Sequence, residues 1–146
     1  MNEEKYINER LEKQILWYSK ESRFNQKFHK LLRLTEIIFA ALIPFLAGMV
    51  GKIPYSTWII GGLGVVIAVC AGASSVWKFH ENWIQYRTSA ETLKHEKYLY
   101  LTKSYPYNEE NQENAFNYFV KRVENLISKE NTQWAGHTEK KNESKI

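Results

Sequence analysis

The sequence predicts an all-α protein: a two-span transmembrane helical hairpin continuous with a cytosolic helical bundle. Three observations predict it. Two apolar runs, residues 34–51 and 58–77, lie close together in a chain whose mean hydropathy is only -0.48. The flanks on both sides place apolar residues at spacings of three and four with charges between them, the period of an amphipathic helix. No segment alternates with the period of a strand.

Residues 1–33 form the first element. Ile7, Leu11, Ile15 and Tyr18, then Phe24, Phe28 and Leu31, define the apolar face of a cytosolic amphipathic helix, bent near Ser22, that runs into the first span.

The run 34–51 carries one charge, Glu36, near its start, and the span can begin as early as Leu31. Its nine strong apolar residues favour insertion by about 3–5 kcal/mol. A carboxylate costs roughly 2.5–3.5 kcal/mol at mid-bilayer and much less near an end. Pro44 stands mid-span, where its missing N–H frees a carbonyl and kinks the helix, as a gate or as a static feature.

Pro54 stops the helix in the connection, and Tyr55 and Trp58 sit where interfacial aromatics sit. The second run, 58–77, is uncharged, and its twenty residues at about 1.5 Å each reach about 30 Å, the hydrocarbon thickness. Gly64, Ala68 and Gly72 recur every four residues as a small face for close helix approach, within the hairpin or to another subunit. Basic residues crowd both outer flanks and only Lys52 lies between the spans, so both termini face the cytoplasm.

Residues 78–134 hold the cytosolic C-terminal helices. Phe79, Trp83, Tyr86, Ala90, Leu93, Lys97 and Tyr100 form a packing seam, and with no Gly or Pro between Gly72 and Pro106 the membrane helix is expected to continue unbroken to "SYPYN". Asn108 is the expected N-cap of a last helix with Glu109 and Glu110 in its first turn. Ala115, Phe116, Phe119, Val120, Val123, Leu126 and Ile127 form its apolar face. Residues 135–146 are polar and aperiodic and read as a disordered tail.

Composition narrows the function classes. A net charge of +4 arises from basic residues interleaved with acids, which argues against nucleic acid as a partner. The lone Cys70 permits neither an intrachain disulfide nor a Cys-x-x-Cys motif and reads as a small buried hydrophobe. Residues 1–30 lack a secretory apolar core, so any membrane segment is expected to be internal. His80-Glu81 and His95-Glu96 begin like zinc-protease motifs, but the second histidine positions hold Ile84 and Leu99. Without a phosphate loop or a nucleophile elbow, no catalytic residue, metal or cofactor is expected, and the protein is read as a non-enzyme.

Several polar and aromatic residues stand out. Glu36 is either an ion-pathway group or an anchor neutralised by Arg33 one turn earlier. Thr35, Ser74 and Ser75 accompany it at the cytosolic end of the spans. On the following helix Trp83, Arg87, Glu91 and His95 form a line, with Arg87 stacking on Trp83 and pairing with Glu91.

Leu11, Gln14, Trp17 and Tyr18 before a two-span hairpin, then Trp83, Arg87, Glu91, Leu93 and Glu96, the Pro106-Tyr107 pair, and a final helix ending in Glu130 and Trp134 together resemble the SLATT-type two-transmembrane family. That family, of SMODS- and SLOG-associating effectors, is also catalogued as a bacterial domain of unknown function. The resemblance covers residues 5–134 and implies a multi-pass protein of the bacterial inner membrane. It further implies a pore-forming effector switched by nucleotide signals, partnered by a signal-generating or signal-sensing protein. The expected function is therefore a homo-oligomeric ion channel or pore, with lipid and its own copies as partners. Its cytosolic bundle, through Trp17, Tyr18, Trp83, Arg87 and Glu91, would assemble the ring and receive the signal. The alternative is a non-conducting, membrane-tethered scaffold.

Overall fold

In a computed structural model the chain is all-helical; residues 2–108 and 112–129 are described in full, and among them the only β-type pairing is one isolated bridge, Val50 to Ile53. The elements are α1 (Glu3–Lys5), a π-helical stretch (Tyr6–Leu11), α2 (Glu12–Ala47), α3 (Ser56–Trp77), α4 (Phe79–Leu101) and α5 (Gln112–Glu143). Glu109, Glu110, Glu130, Trp134 and the tail expected at 135–146 lie outside the fully described residues. The chain divides into two compact units, Met1–Lys20 with Gln85–Ile146, and Glu21–Ile84.

The first unit is a helical bundle with its own core. Tyr6, Ile7, Leu11, Ile15 and Tyr18 pack with Tyr86, Ala90, Leu93 and Tyr100 of α4 and with Ala115, Phe119, Val123 and Ile127 of α5. These are the positions that the three-and-four spacing selects, because burying one apolar stripe per helix is what holds a bundle together. Aromatic rings fill its centre: Tyr100 stacks on Phe119 with centroids 4.3 Å apart, and Tyr107 meets both edge-on.

α4 ends at Leu101, earlier than Pro106 requires. The Lys103 N–H donates to the Tyr100 carbonyl and the Ser104 N–H to the Leu99 carbonyl, with Lys103 at φ 50°. That pair of bonds around a left-handed residue is a Schellman stop, which satisfies the last carbonyls before the proline is reached. The Tyr105–Pro106 peptide is cis.

The second unit is a helix pair. Ser22 Oγ donates to the Trp83 carbonyl at 3.4 Å, the Phe28 and Phe79 rings stack at 5.7 Å, and the His29 and His80 rings lie 4.9 Å apart. The ascending numbers on α2 thus meet descending numbers on the return, an antiparallel arrangement. α2 has no Gly or Pro between Glu12 and Ile43, so nothing interrupts it.

Four expectations are corrected here. First, the apolar run 34–51 is helical only to Ala47; Gly48, Gly51 at φ 90°, Pro54 and Tyr55 at φ 63° turn the chain before Ser56. Second, Pro44 consequently stands in the last turn of α2, with only three helical residues after it, and not in mid-span. Third, Phe24, Phe28 and Leu31 are exposed, while Ser22 and Asn25 are the buried neighbours on that stretch. Fourth, the helix leaving the second run is not continuous. Lys78 takes a left-handed conformation, φ 48° and ψ 43°, between α3 and α4. The Asn82 side chain donates to the Trp77 carbonyl at 3.0 Å and so satisfies an acceptor that the break exposes.

Taking Ser56–Leu101 through that break, one helical stretch among the described residues is long and apolar enough to cross a membrane, and only 6% of its apolar part is buried. α2 does not qualify, since its last eighteen residues include Lys30, Arg33 and Glu36.

Candidate functional site

In the helix-pair unit the antiparallel register, carried forward from Phe28 and His29, sets Thr35 and Glu36 level with residues 71–74. That register puts Thr35, Glu36, Ser74 and Ser75 at a similar level, near the middle of the pair rather than at an end. The Glu36 side chain is 12% exposed and accepts from Arg33 Nη1 at 3.0 Å. Thr35 Oγ1 donates to the Leu31 carbonyl at 2.9 Å, the local bond that a helical threonine makes in place of solvent. Ser74 accepts the Lys78 N–H through its carbonyl at 3.1 Å, which ties it to the helix break.

Within this unit the small-residue face is not a helix-packing face. A Cβ built on Gly64 or Gly72 meets nothing within 4 Å, and Ala68 is exposed. The inward side of α3 instead carries Ser56, Ile60, Leu63, Ile67 and Cys70, at alternating spacings of four and three. Cys70 is a free, buried thiol. Trp58 and Trp77 stand outward, 82% and 61% exposed.

The bundle unit carries most of the polar chemistry. Glu96, 3% exposed, accepts from the Tyr107 hydroxyl at 2.5 Å and from Arg122 Nη2 at 2.6 Å. A buried carboxylate is tolerated because both oxygens are satisfied and one partner is cationic. Burial first, and the bond to Glu96 second, push the Tyr107 hydroxyl well above the ordinary tyrosine value. Nearby, Glu124 takes a bidentate pair from Arg10, Nε at 3.1 Å and Nη2 at 3.0 Å, and a third bond from the Tyr6 hydroxyl at 3.0 Å. The Arg10 hydrogen bond holds the Glu124 carboxyl below the usual carboxylate range against the opposing effect of burial. Lys97 pairs with Glu12 across the bundle.

Trp17 and Tyr18 pack edge-on at 5.0 Å, and both meet Tyr86. Glu91 pairs with Lys94, three residues on along α4, at 3.1 Å and not with Arg87 four residues back. Trp83 has the His80 ring at its edge, 5.7 Å away, in place of an arginine.

Sequence reasoning missed the Glu96–Arg122 and Glu124–Arg10 pairs and the His29–His80 contact. Each joins residues of different helices, and spacing along one helix carries no signal for them. Among the described residues no group of three or more His, Cys, Asp or Glu comes together.

A sequence profile described as a protein of unknown function (DUF4231) matches residues 13–115. No curated protein and no solved structure matches the chain.

Proposed function

We propose that this chain, which belongs to the DUF4231 family of proteins of unknown function, is an integral membrane protein whose copies assemble around an ion-conducting path. The observation that carries the reading is α3. It is uncharged on every side, almost wholly unburied within the chain, and bounded by two outward tryptophans. Trp77 lies nineteen positions after Trp58, about 28 Å of helix, so the rings sit where the two interfaces of a bilayer would be. Water is a poor neighbour for such a surface; lipid and other copies of the same helix are good ones.

The remaining features of the reading rest on this one. The C-terminal part of α2 accompanies α3 as a second, shorter span from about Leu31 to Ala47, with Arg33 and Glu36 paired where the chain leaves the hydrocarbon. The basic residues of both flanks support an orientation with both termini in the cytoplasm. Two helices do not enclose water, so a conducting path needs several subunits. Gly64, Ala68 and Gly72, unused inside the chain, then supply the contact between subunits. Thr35, Glu36, Ser74 and Ser75 lie at the cytosolic mouth. The SLATT resemblance supports an effector of this kind, gated by a signal received on the bundle unit.

Purified protein in detergent should have the mass of an oligomer; a clean monomer overturns the pore. Reconstituted vesicles should pass ions, and Glu36→Gln should alter conductance or selectivity. Unchanged currents would remove Glu36 from the path. The second reading, a non-conducting tether, is favoured by the separately closed core of the bundle unit. It expects intact vesicles to stay tight to ions while the bundle still binds its partner.

A further inference from the structure

We propose that His29 and His80 form a binding site for one divalent transition-metal ion of the copper, nickel and zinc group. The two rings come from α2 and from the first turn of α4, both in the helix-pair unit, with centroids 4.9 Å apart and planes at 44°. Metal–nitrogen bonds are about 2.0–2.1 Å, and about 1.1 Å separates a ring centre from its nitrogen. Two imidazoles on one ion therefore place their centres about 4.5 Å apart at a right angle and about 5.2 Å apart at the tetrahedral angle. The observed separation falls between these values, so the two rings are spaced as the ligands of one ion are.

The surroundings fit as well. His29 is half-buried and His80 exposed, so an ion has access and water can complete its coordination. Neither imidazole takes part in a hydrogen bond or ion pair with another described residue, and imidazole is a ligand type suited to these metals. The ion would bridge α2 to α4 two residues beyond the Lys78 break and hold the pair of helices together there. This site stands independently of the conducting function.

The test uses full-length protein without a polyhistidine tag, titrated with Cu2+ alone by calorimetry and by electron paramagnetic resonance. One ion per chain with two imidazole nitrogens is expected, and Ni2+ and Zn2+ should bind more weakly than Cu2+. Losing one of two linked ligands removes chelation, so His29→Asn or His80→Gln should weaken binding on the order of a hundredfold. The double variant should lose less than the two single losses added together, and His95→Gln should change nothing. Fewer than two coordinated nitrogens in the wild-type spectrum overturns the site, whatever the variants do. So do single substitutions whose effects add independently, or a His95 variant that loses the same affinity. Helix content of each variant, read without metal, separates lost ligation from lost fold.

Discussion

At the scale of single residues, Glu96 organises the interior of the bundle. Removing the Tyr107 hydroxyl takes one of its two bonds and leaves a carboxylate oxygen in an apolar place. Tyr107→Phe should lower unfolding stability by about 1–3 kcal/mol, read as a drop in the thermal midpoint with helix content unchanged. Glu124 gives a pH dependence. Its carboxyl titrates lower in the folded chain than in the unfolded one. The stabilisation is therefore present above the unfolded value and is lost as pH falls through the folded one. Arg10→Gln should reduce that acid-side decline, the Tyr6 bond to Glu124 remaining, and a stability–pH curve down to the carboxylate range checks it. On the alkaline side Tyr6, Tyr100 and Tyr107 are all raised, burial being the first cause. Their contribution is full below the unfolded tyrosine value of about 10 and falls as pH rises beyond it. Of these pairs the sequence made only Arg33–Glu36 legible, because its two members share one helix. Glu96, Arg122, Glu124 and Arg10 look like solvated charges until tertiary packing brings their helices together.

At the scale of elements, helix faces were legible wherever one side meets a core and the other meets water. Leu11, Ile15 and Tyr18, and the face from Ala115 to Ile127, follow that rule. Beyond Tyr18 the same alternation of four and three passes through Ser22, Asn25, His29, Leu32, Glu36, Phe39, Ile43 and Leu46, the inward positions of α2. The larger apolar side chains Phe24, Phe28, Leu31 and Phe45 point out. Periodicity marks the inside only while the outside is polar, and the outer face of α2 carries large apolar side chains of its own. Element ends were less legible than faces, since two of them rest on lysines in left-handed conformations that sequence gives no cause to expect. Lys103→Gly should raise bundle stability by up to about 1 kcal/mol, and Lys103→Val should lower it, as seen in thermal midpoints. On α3, Gly64→Leu with Gly72→Leu meets open space within the chain. The pair should leave helix content and insertion intact while shifting detergent-phase mass towards the monomer; an unchanged mass would move the subunit contact elsewhere.

At the scale of the whole molecule, the all-helical class was legible from the three-and-four periodicity and the long uncharged run from composition and length. The division into two units was not, since neither boundary carries a linker and α2 and α4 each cross one. If α3 lies in a bilayer, the expressed chain should stay in the membrane fraction through an alkaline carbonate wash; release into the supernatant would oppose spanning. The early end of α2 has a consequence for biogenesis. Between Glu36 and Ala47 it offers seven strong apolar residues, about 2–4 kcal/mol of insertion free energy, against Arg33 and Glu36 at its edge. Alone, that helix is a marginal client for the translocation machinery, whereas α3 is a strong one. On the proposed two-span reading, the nascent chain has to hold α2 in waiting until Trp77 has left the ribosome, so that the two helices enter the lipid as a pair.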